Sequence, residues 1–569
     1  MTDNLSKEQR AIIDEPLVPL AVTACAGSGK TKTAVHRLAE MRRQYTGSGL
    51  IALLSFSNIA VDTFQTEYSA LARQLSAKGR RFAVEISTMD GFITTNVLRP
   101  HGHRLMKSSC VPFLINGREG FLNGFKVWDG NKSLRTAEIK ISWEGTRFNY
   151  TIGKNDKVLG PTVAVAALKK LAALGAYTHD SARYWVLRIL HEEAFVLRAL
   201  ARRFPHIVVD EAQDIGPEHQ AILELLIEAG SQGSLIGDPH QGIYEFARAD
   251  GSFLREYGSR AGVKSRGLTM NYRSMPGILN VANKLTGRTD RSNRVATSAT
   301  PAAYYLTFKA EERKKTLSSF QNLLKAVGID VRKGVVLCRS APLTAEWSGE
   351  SDGQGQGVTK CFADAVISRD LKKDYHQAFI HGCMGLSGLL APKHSAFVSQ
   401  MERPADDTMR RLRRVIWSFV RDSFSGLPSA KLVADVDWHP QMRRRTEALL
   451  ETLQKDFGLI PADNMGQRMA KKKLENRPLI ELPDLAGEEL TVFRTSTVHK
   501  VKGESLDAVL YVAKKGHVRA LLDGTKTEDG RIGYVALTRA RNIFVLAVPE
   551  VNLPEFEPEL KAAGLKSAV

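Results

Sequence analysis

Cysteine is scarce in this chain, with five residues in 569, at Cys25, Cys110, Cys338, Cys361 and Cys383. No two stand at metal-ligand spacing and the number is odd, which argues against a disulfide framework or a zinc site. Long apolar runs are also missing. None approaches the ~18 residues that span a bilayer, so no membrane partner is expected. Residues 1–15 are polar and carry acids, unlike a signal or transit peptide, and the expected location is the cytoplasm. Acids are in deficit: 61 Asp and Glu stand against 80 Lys and Arg, a net charge of +19. A surplus of that size favours a polyanionic partner, without separating DNA from RNA or from an acidic protein. What remains, 43% hydrophobic and 25% charged, is a globular composition. The length suffices for three or four domains.

Apolar runs and helical patterns alternate from the start. Residues 17–24 read as a buried strand, 30–43 as a helix, 50–56 as a second strand and 58–77 as a second helix. That order begins a parallel α/β sheet. The same grammar returns at 206–210, 234–238 and 335–339, then at 508–512 and 544–548. Between these blocks, 138–143 and 146–152 alternate polar and apolar around Glu144-Gly145, which predicts a β-hairpin. Residues 163–203 are helical in period. A Gly- and Ser-rich stretch at 348–357 predicts a linker, and 362–478 is again helical, with basic clusters at 410–414, 443–445 and 471–473.

The stretch Ala24-Cys25-Ala26-Gly27-Ser28-Gly29-Lys30-Thr31 follows a strand and opens a helix. Small residues there let backbone N–H groups converge on phosphate oxygens, and the helix N-terminus adds its positive end. Lys30 reaches β- and γ-phosphates in such a loop, and the Thr31 hydroxyl ligates Mg²⁺. The first position is Ala24, where the strict pattern has Gly. A complementary carboxylate pair ends another apolar strand, at Asp210-Glu211. Asp210 would hold Mg²⁺ through water, and Glu211 would orient and deprotonate an attacking water. Together these residues predict hydrolysis of ATP with Mg²⁺ as cofactor.

At Asp210-Glu211-Ala212-Gln213-Asp214 the chain resembles superfamily 1 helicases of the UvrD/Rep/PcrA type, and further motifs follow in order. The resemblance implies two RecA-like parallel-sheet domains with mostly helical insertions. Domain 1A is expected at 1–97 and 204–260, insertion 1B at 98–203, domain 2A at 261–346 and 488–569, and insertion 2B at 347–487. It implies that Gln9 reads adenine and that Gln241 senses the γ-phosphate. Tyr272 would stack on the base. Arg273 and Arg539 would reach the γ-phosphate from the second domain, which suits phosphoryl transfer. In motif V, Glu504 or Ser505 would face the ribose. With residues 24–31, these form the implied ATP site. The implied contacts to single-stranded DNA are Phe56, Asn58, Phe64, Thr88, Tyr244, Phe246 and His499, where aromatics would stack on bases.

Departures from the family pattern are specific. Phe246 stands where relatives carry Trp, and Ala247 follows it where they carry Arg. Glu504-Ser505 replaces Leu-Glu. Ser87 to Phe92, followed by Leu98-Arg99-Pro100, resembles compact UvrD-like subunits of anti-phage defence such as the Gabija helicase subunit; larger relatives carry His near Asp90. The resemblance therefore implies an ATP-dependent 3′–5′ translocase or helicase on single-stranded DNA or tailed duplex, in repair or in defence. The alternative is a DNA- or nucleotide-responsive NTPase subunit that regulates a separate nuclease. No embedded nuclease cluster follows the last motif.

Overall fold

The computed structural model describes residues 5–568 apart from 75–83, 116–119, 130–131, 154, 245–247, 296–301, 349–353, 392–396, 403, 405 and 481–492. Phe246, half of the expected linker and the end of the second expected helix lie outside the described residues. The chain divides into two compact units, residues 1–337 with 498–569, and residues 338–497.

The first unit contains two sheets. The first uses β1 (Leu20–Ala24), β2 (Ile51–Ser55), β3 (Val84–Thr88), β4 (His206–Asp210), β5 (Gln232–Gly237) and β6 (Lys264–Leu268), in the order β6-β1-β5-β4-β2-β3 with every pair parallel. Side chains alternate between its two faces, as a strand requires. Ile51, Leu53 and Val208 enter one core, while Ala52, Leu54 and Val209 enter the other. Both faces are covered, which is why these strands read as continuous apolar runs. The second sheet places β7 (Ala303–Phe308), β8 (Gly334–Cys338), β9 (Leu506–Val512), β10 (Ala540–Pro549) and β11 (Lys566–Ser567) in the order β8-β9-β10-β7-β11. Strands β7 and β9 both pair parallel to β10. Its core includes Val509, Tyr511, Phe544 and Leu546.

Between β3 and β4 lies the first interruption. It carries the antiparallel hairpin Ile139–Trp143 with Phe148–Ile152, its turn holding Gly145 at φ 75°, where only Gly sits without strain. Three helices follow, Pro161–Ala173, His179–Glu192 and Ala194–Arg203. The second unit is helical. Phe362, Phe379, Ile416, Trp438 and Leu453 fill its core.

The candidate nucleotide site and an adjoining cavity

The candidate phosphate loop begins where β1 ends. Ala24 is fully buried and paired in register with Leu268 of β6. It sits in strand geometry, so the Gly of the strict pattern is not needed there. The left-handed positions are Gly27, at φ 71°, and Gly29, at φ 78°, the N-cap of the helix Lys30–Gln44. Both places need Gly. Tyr272 N–H donates to the Gly27 carbonyl at 2.9 Å, and the Asn271 amide donates to the Ala26 carbonyl at 2.6 Å. A Cβ added at Gly27 would stand 2.5 Å from the Arg273 Cβ. Burial pushes the Cys25 thiol up to about 12, so it is an inert packing group.

Gln9 is buried. Its amide nitrogen donates to the Ser28 carbonyl at 3.2 Å, and its oxygen accepts from Ser6 N–H at 3.0 Å in a capping box. It braces the loop from one side as Asn271 does from the other.

Asp210 ends β4, fully enclosed, and Glu211 follows in a left-handed conformation at φ 54°. A non-Gly residue there is strained, and strain of this kind concentrates at functional sites. Burial and then the neighbouring Glu211 charge push the Asp210 carboxyl up. Burial also opposes ionisation of Glu211, but Lys30, Lys502, Gln213 and Arg539 outweigh it and hold that carboxyl low. Lys30 Nζ lies 3.8 Å from Glu211 Oε2, and the Gln213 amide donates to the same oxygen. Glu211 is thus the charged member of the pair. Asp210 Oδ1 and Ser28 Oγ are buried without a hydrogen-bond partner among the described residues. A Mg²⁺ ion fits this donor set, with Thr31 in the first turn of the same helix.

Two guanidiniums approach, Arg273 from the segment after β6 and Arg539 from the end of the helix Glu528–Arg539. Arg273 Nη1 donates to the Thr538 carbonyl at 3.0 Å; burial, and then Arg539, lower its pKa to about 9. Arg539 is buried and donates to Gln241 Oε1 at 3.1 Å and to the Glu504 carbonyl at 3.4 Å. Burial lowers its pKa too, against the pull of Glu211. Two desolvated cations this close favour an anion between them. Tyr272 is 37% exposed beside the loop.

Residues 240–244 are clasped one by one. His240 Nδ1 meets Thr525 Oγ1 at 2.7 Å, Gln241 meets Arg539, and the Gly242 carbonyl accepts from Arg531 at 2.5 Å. The Ile243 carbonyl lies 3.1 Å from His499 Nε2, and Lys502 Nζ stands 4.5 Å from the Tyr244 ring centre. Lys502 also contacts both oxygens of the buried Asp214 at 2.6 Å. One short loop therefore runs from the arginine contact to Tyr244.

Tyr244 lines a cavity of about 500 Å³ together with Phe56, Asn58, Thr88 and Asp90. Four of the seven residues expected at DNA thus line one cavity. His499 is set back, with its ring centre 6.1 Å from that of Tyr244. Phe64 requires a correction. It is fully buried in the core beside Leu38 and Leu53, so its ring presents no face for a base. The helical period of its segment explains the error, since Phe64 falls on the inward stripe.

Several contributing contacts carried no sequence signal. Asp90 is gripped by Arg183 through two bonds of 3.1 Å, by His219 at 2.8 Å and by His179 at 3.3 Å. The partners lie up to 129 residues away, so spacing could not reveal them. No sequence pattern assigns a role to Arg531 or Asn271 either.

Comparison with known proteins gives a consistent picture. Residues 5–142 and 168–260 match the UvrD/REP helicase N-terminal domain. The chain is 25% identical over 311 residues to DNA helicase II of Haemophilus influenzae, covering 50% of this chain and 40% of that protein. It is 24% identical over 310 residues to ATP-dependent DNA helicase UvrD2 of Mycobacterium tuberculosis, covering 49% and 43%. It is 25% identical over 312 residues to DNA helicase II of Escherichia coli, covering 50% and 40%. The matches thus span less than half the length of these relatives.

Proposed function

We propose that this chain, a member of the UvrD/Rep family of superfamily 1 helicases, is an ATP-dependent motor on single-stranded DNA with 3′–5′ polarity. One observation carries the reading: the loop at 240–244 links the Gln241–Arg539 contact to the aromatic wall of the cavity. ATP would seat its triphosphate on residues 24–31, with Gln9 bracing the loop and Tyr272 against the base. Thr31 and Asp210 would hold Mg²⁺, which neutralises the β- and γ-oxygens when bound. Glu211 takes the proton from the attacking water. Lys30, Arg273 and Arg539 face the charge that develops on the γ-phosphoryl group. Loss of the γ-phosphate would release Gln241 and Arg539 and so shift Tyr244 against the strand. The division into 1A, 1B, 2A and 2B, the cytoplasmic location and a role in repair or defence belong to the same proposal.

The test is steady-state ATP hydrolysis with and without single-stranded DNA, alongside Lys30→Ala, followed by unwinding of 3′-tailed and 5′-tailed duplexes. Stimulation by DNA that is lost in the variant, with unwinding from the 3′ tail, is the expected result. Hydrolysis indifferent to DNA would replace this reading with an NTPase subunit acting on a partner nuclease.

A further inference from the structure

Residues 89–106 form one helix with a wide turn in its middle. Met89–Ile93 and Arg99–Met106 are α-helical, but Thr94–Leu98 is a π turn, closed by the Arg99 N–H donating to the Thr94 carbonyl. Pro100 explains it. In a continuous α-helix, residue 100 would donate to the Asn96 carbonyl, but Pro has no N–H and its ring would strike that carbonyl. Widening the turn by one residue removes the conflict. The second unit repeats the pattern independently: a π turn at Ala434–Trp438 precedes His439-Pro440.

The wide turn changes which side chains share a face. Residues five apart on an α-helix point about 140° away from each other. The bond from residue 99 to residue 94 stacks them instead, and both Thr94 and Arg99 line the cavity. Charge singles out Arg99. The carboxylates of the lining are already engaged: Asp90 with Arg183, Asp214 with Lys502 and Glu218 with Arg248. Arg183 is engaged in turn by Asp90 and Asp180. Arg99 is exposed and has no ion pair or side-chain hydrogen bond among the described residues.

We infer that Arg99, swung into the cavity by the π turn that Pro100 imposes, is a phosphate anchor for the nucleic-acid strand. This rests on the reading of the cavity as the single-strand site. A guanidinium with all its donors uncommitted suits a phosphodiester, which takes two parallel N–H bonds. Its contribution is electrostatic and independent of sequence.

The experiment is binding of a labelled oligodeoxythymidylate to the full chain over about 50 to about 200 mM salt, for the parent, Arg99→Ala, Pro100→Ala and the exposed control Lys169→Ala. Arg99→Ala is expected to weaken binding about tenfold at low salt. Its log–log salt slope should be shallower by about 0.7, one phosphate contact on a single strand. Lys169→Ala should follow the parent. Pro100→Ala should weaken binding although Arg99 remains, because the turn no longer presents it. If Arg99→Ala keeps the parent's slope and affinity, the anchor is wrong while the single-strand reading stands. If Pro100→Ala binds like the parent, the role of the turn is wrong. If the parent shows no salt-dependent binding at all, both the anchor and the single-strand reading fall.

Discussion

Arg539 donates to the side-chain oxygen of Gln241 at 3.1 Å, across a sequence separation of 298 residues. This bond joins the loop that follows β5 of the first sheet to the helix that precedes β10 of the second. Arg539→Ala should lower kcat by about 10³-fold or more while changing the KM for ATP far less. Gln241→Ala should reduce the stimulation by DNA more than the basal rate. Steady-state kinetics with and without an oligonucleotide check both, and parent-like turnover in Arg539→Ala would remove the arginine from the mechanism.

The strained Glu211 and its neighbour Lys30 make separable predictions. Glu211→Gln should abolish turnover yet still bind ATP, because the amide keeps the shape and loses the base. Lys30→Ala should weaken ATP binding as well, since the proposed site has Lys30 meet the phosphates directly. Fluorescent-nucleotide titration beside phosphate release distinguishes them. Hydrolysis by Glu211→Gln at the parent rate would mean another group takes the proton.

The Lys502–Asp214 pair is almost fully enclosed, with side chains 9% and 3% exposed. Removing one partner leaves a buried charge unpaired, which costs about 3–5 kcal/mol. Lys502→Met should therefore destabilise strongly, and Lys502→Met with Asp214→Asn should recover most of the loss. Burial, against the pull of Lys502, already raises the Asp214 pKa to about 6; without the lysine it rises further. The folded variant can then take up a proton as pH falls, so the gap from the parent should shrink from about pH 8 to about pH 6. Urea midpoints at the two pH values give the sign, and a gap that widens on acidification contradicts it.

Asp90 and His179 give a pH signature of the opposite kind. Burial opposes ionisation of Asp90, but hydrogen bonds from His179, His219 and Arg183 outweigh it and hold the carboxyl well below its usual range. Its contribution is present above that range and lost only in strong acid. The bond to Asp90 raises His179. Its contribution is complete below the ordinary histidine value, about 6.5, and is lost as pH rises through the raised one. The Tm gap between the parent and His179→Ala should accordingly be larger at about pH 5.5 than at about pH 8.5. Thermal melts measure this, and the reverse order would mean that the imidazole acts without its charge.

Much of the architecture is readable in the chain because the interior strands are buried on both faces. Strands β1, β2, β4 and β5 stand out as apolar runs for that reason. The two missed strands of the first sheet, β3 and β6, are its edges. Lys264 to Gly267 of β6 are all exposed, and an exposed strand has no apolar run to read. Strand β7, with Tyr304 and Tyr305, is buried and was still overlooked. At the nucleotide site, contiguous strings such as residues 24–31 and 210–214 are legible since backbone geometry fixes their spacing. Asp90 with Arg183, or Arg531 with Gly242, depends on long-range packing that no local pattern encodes. The same blindness misassigned Phe64, where a motif position and an inward helix face coincide.

Gly27 bears on the mechanical tolerance of the whole assembly. Its carbonyl accepts from Tyr272 N–H, and a Cβ added to it would stand 2.5 Å from the Cβ of Arg273. The missing side chain is therefore what lets this loop and the backbone that carries the first arginine approach so closely. A methyl group at this point is a wedge, and Gly27 also holds φ 71°, which a side chain makes strained. Gly27→Ala would thus deform the loop and crowd the arginine together, so nucleotide binding and hydrolysis should fail as one.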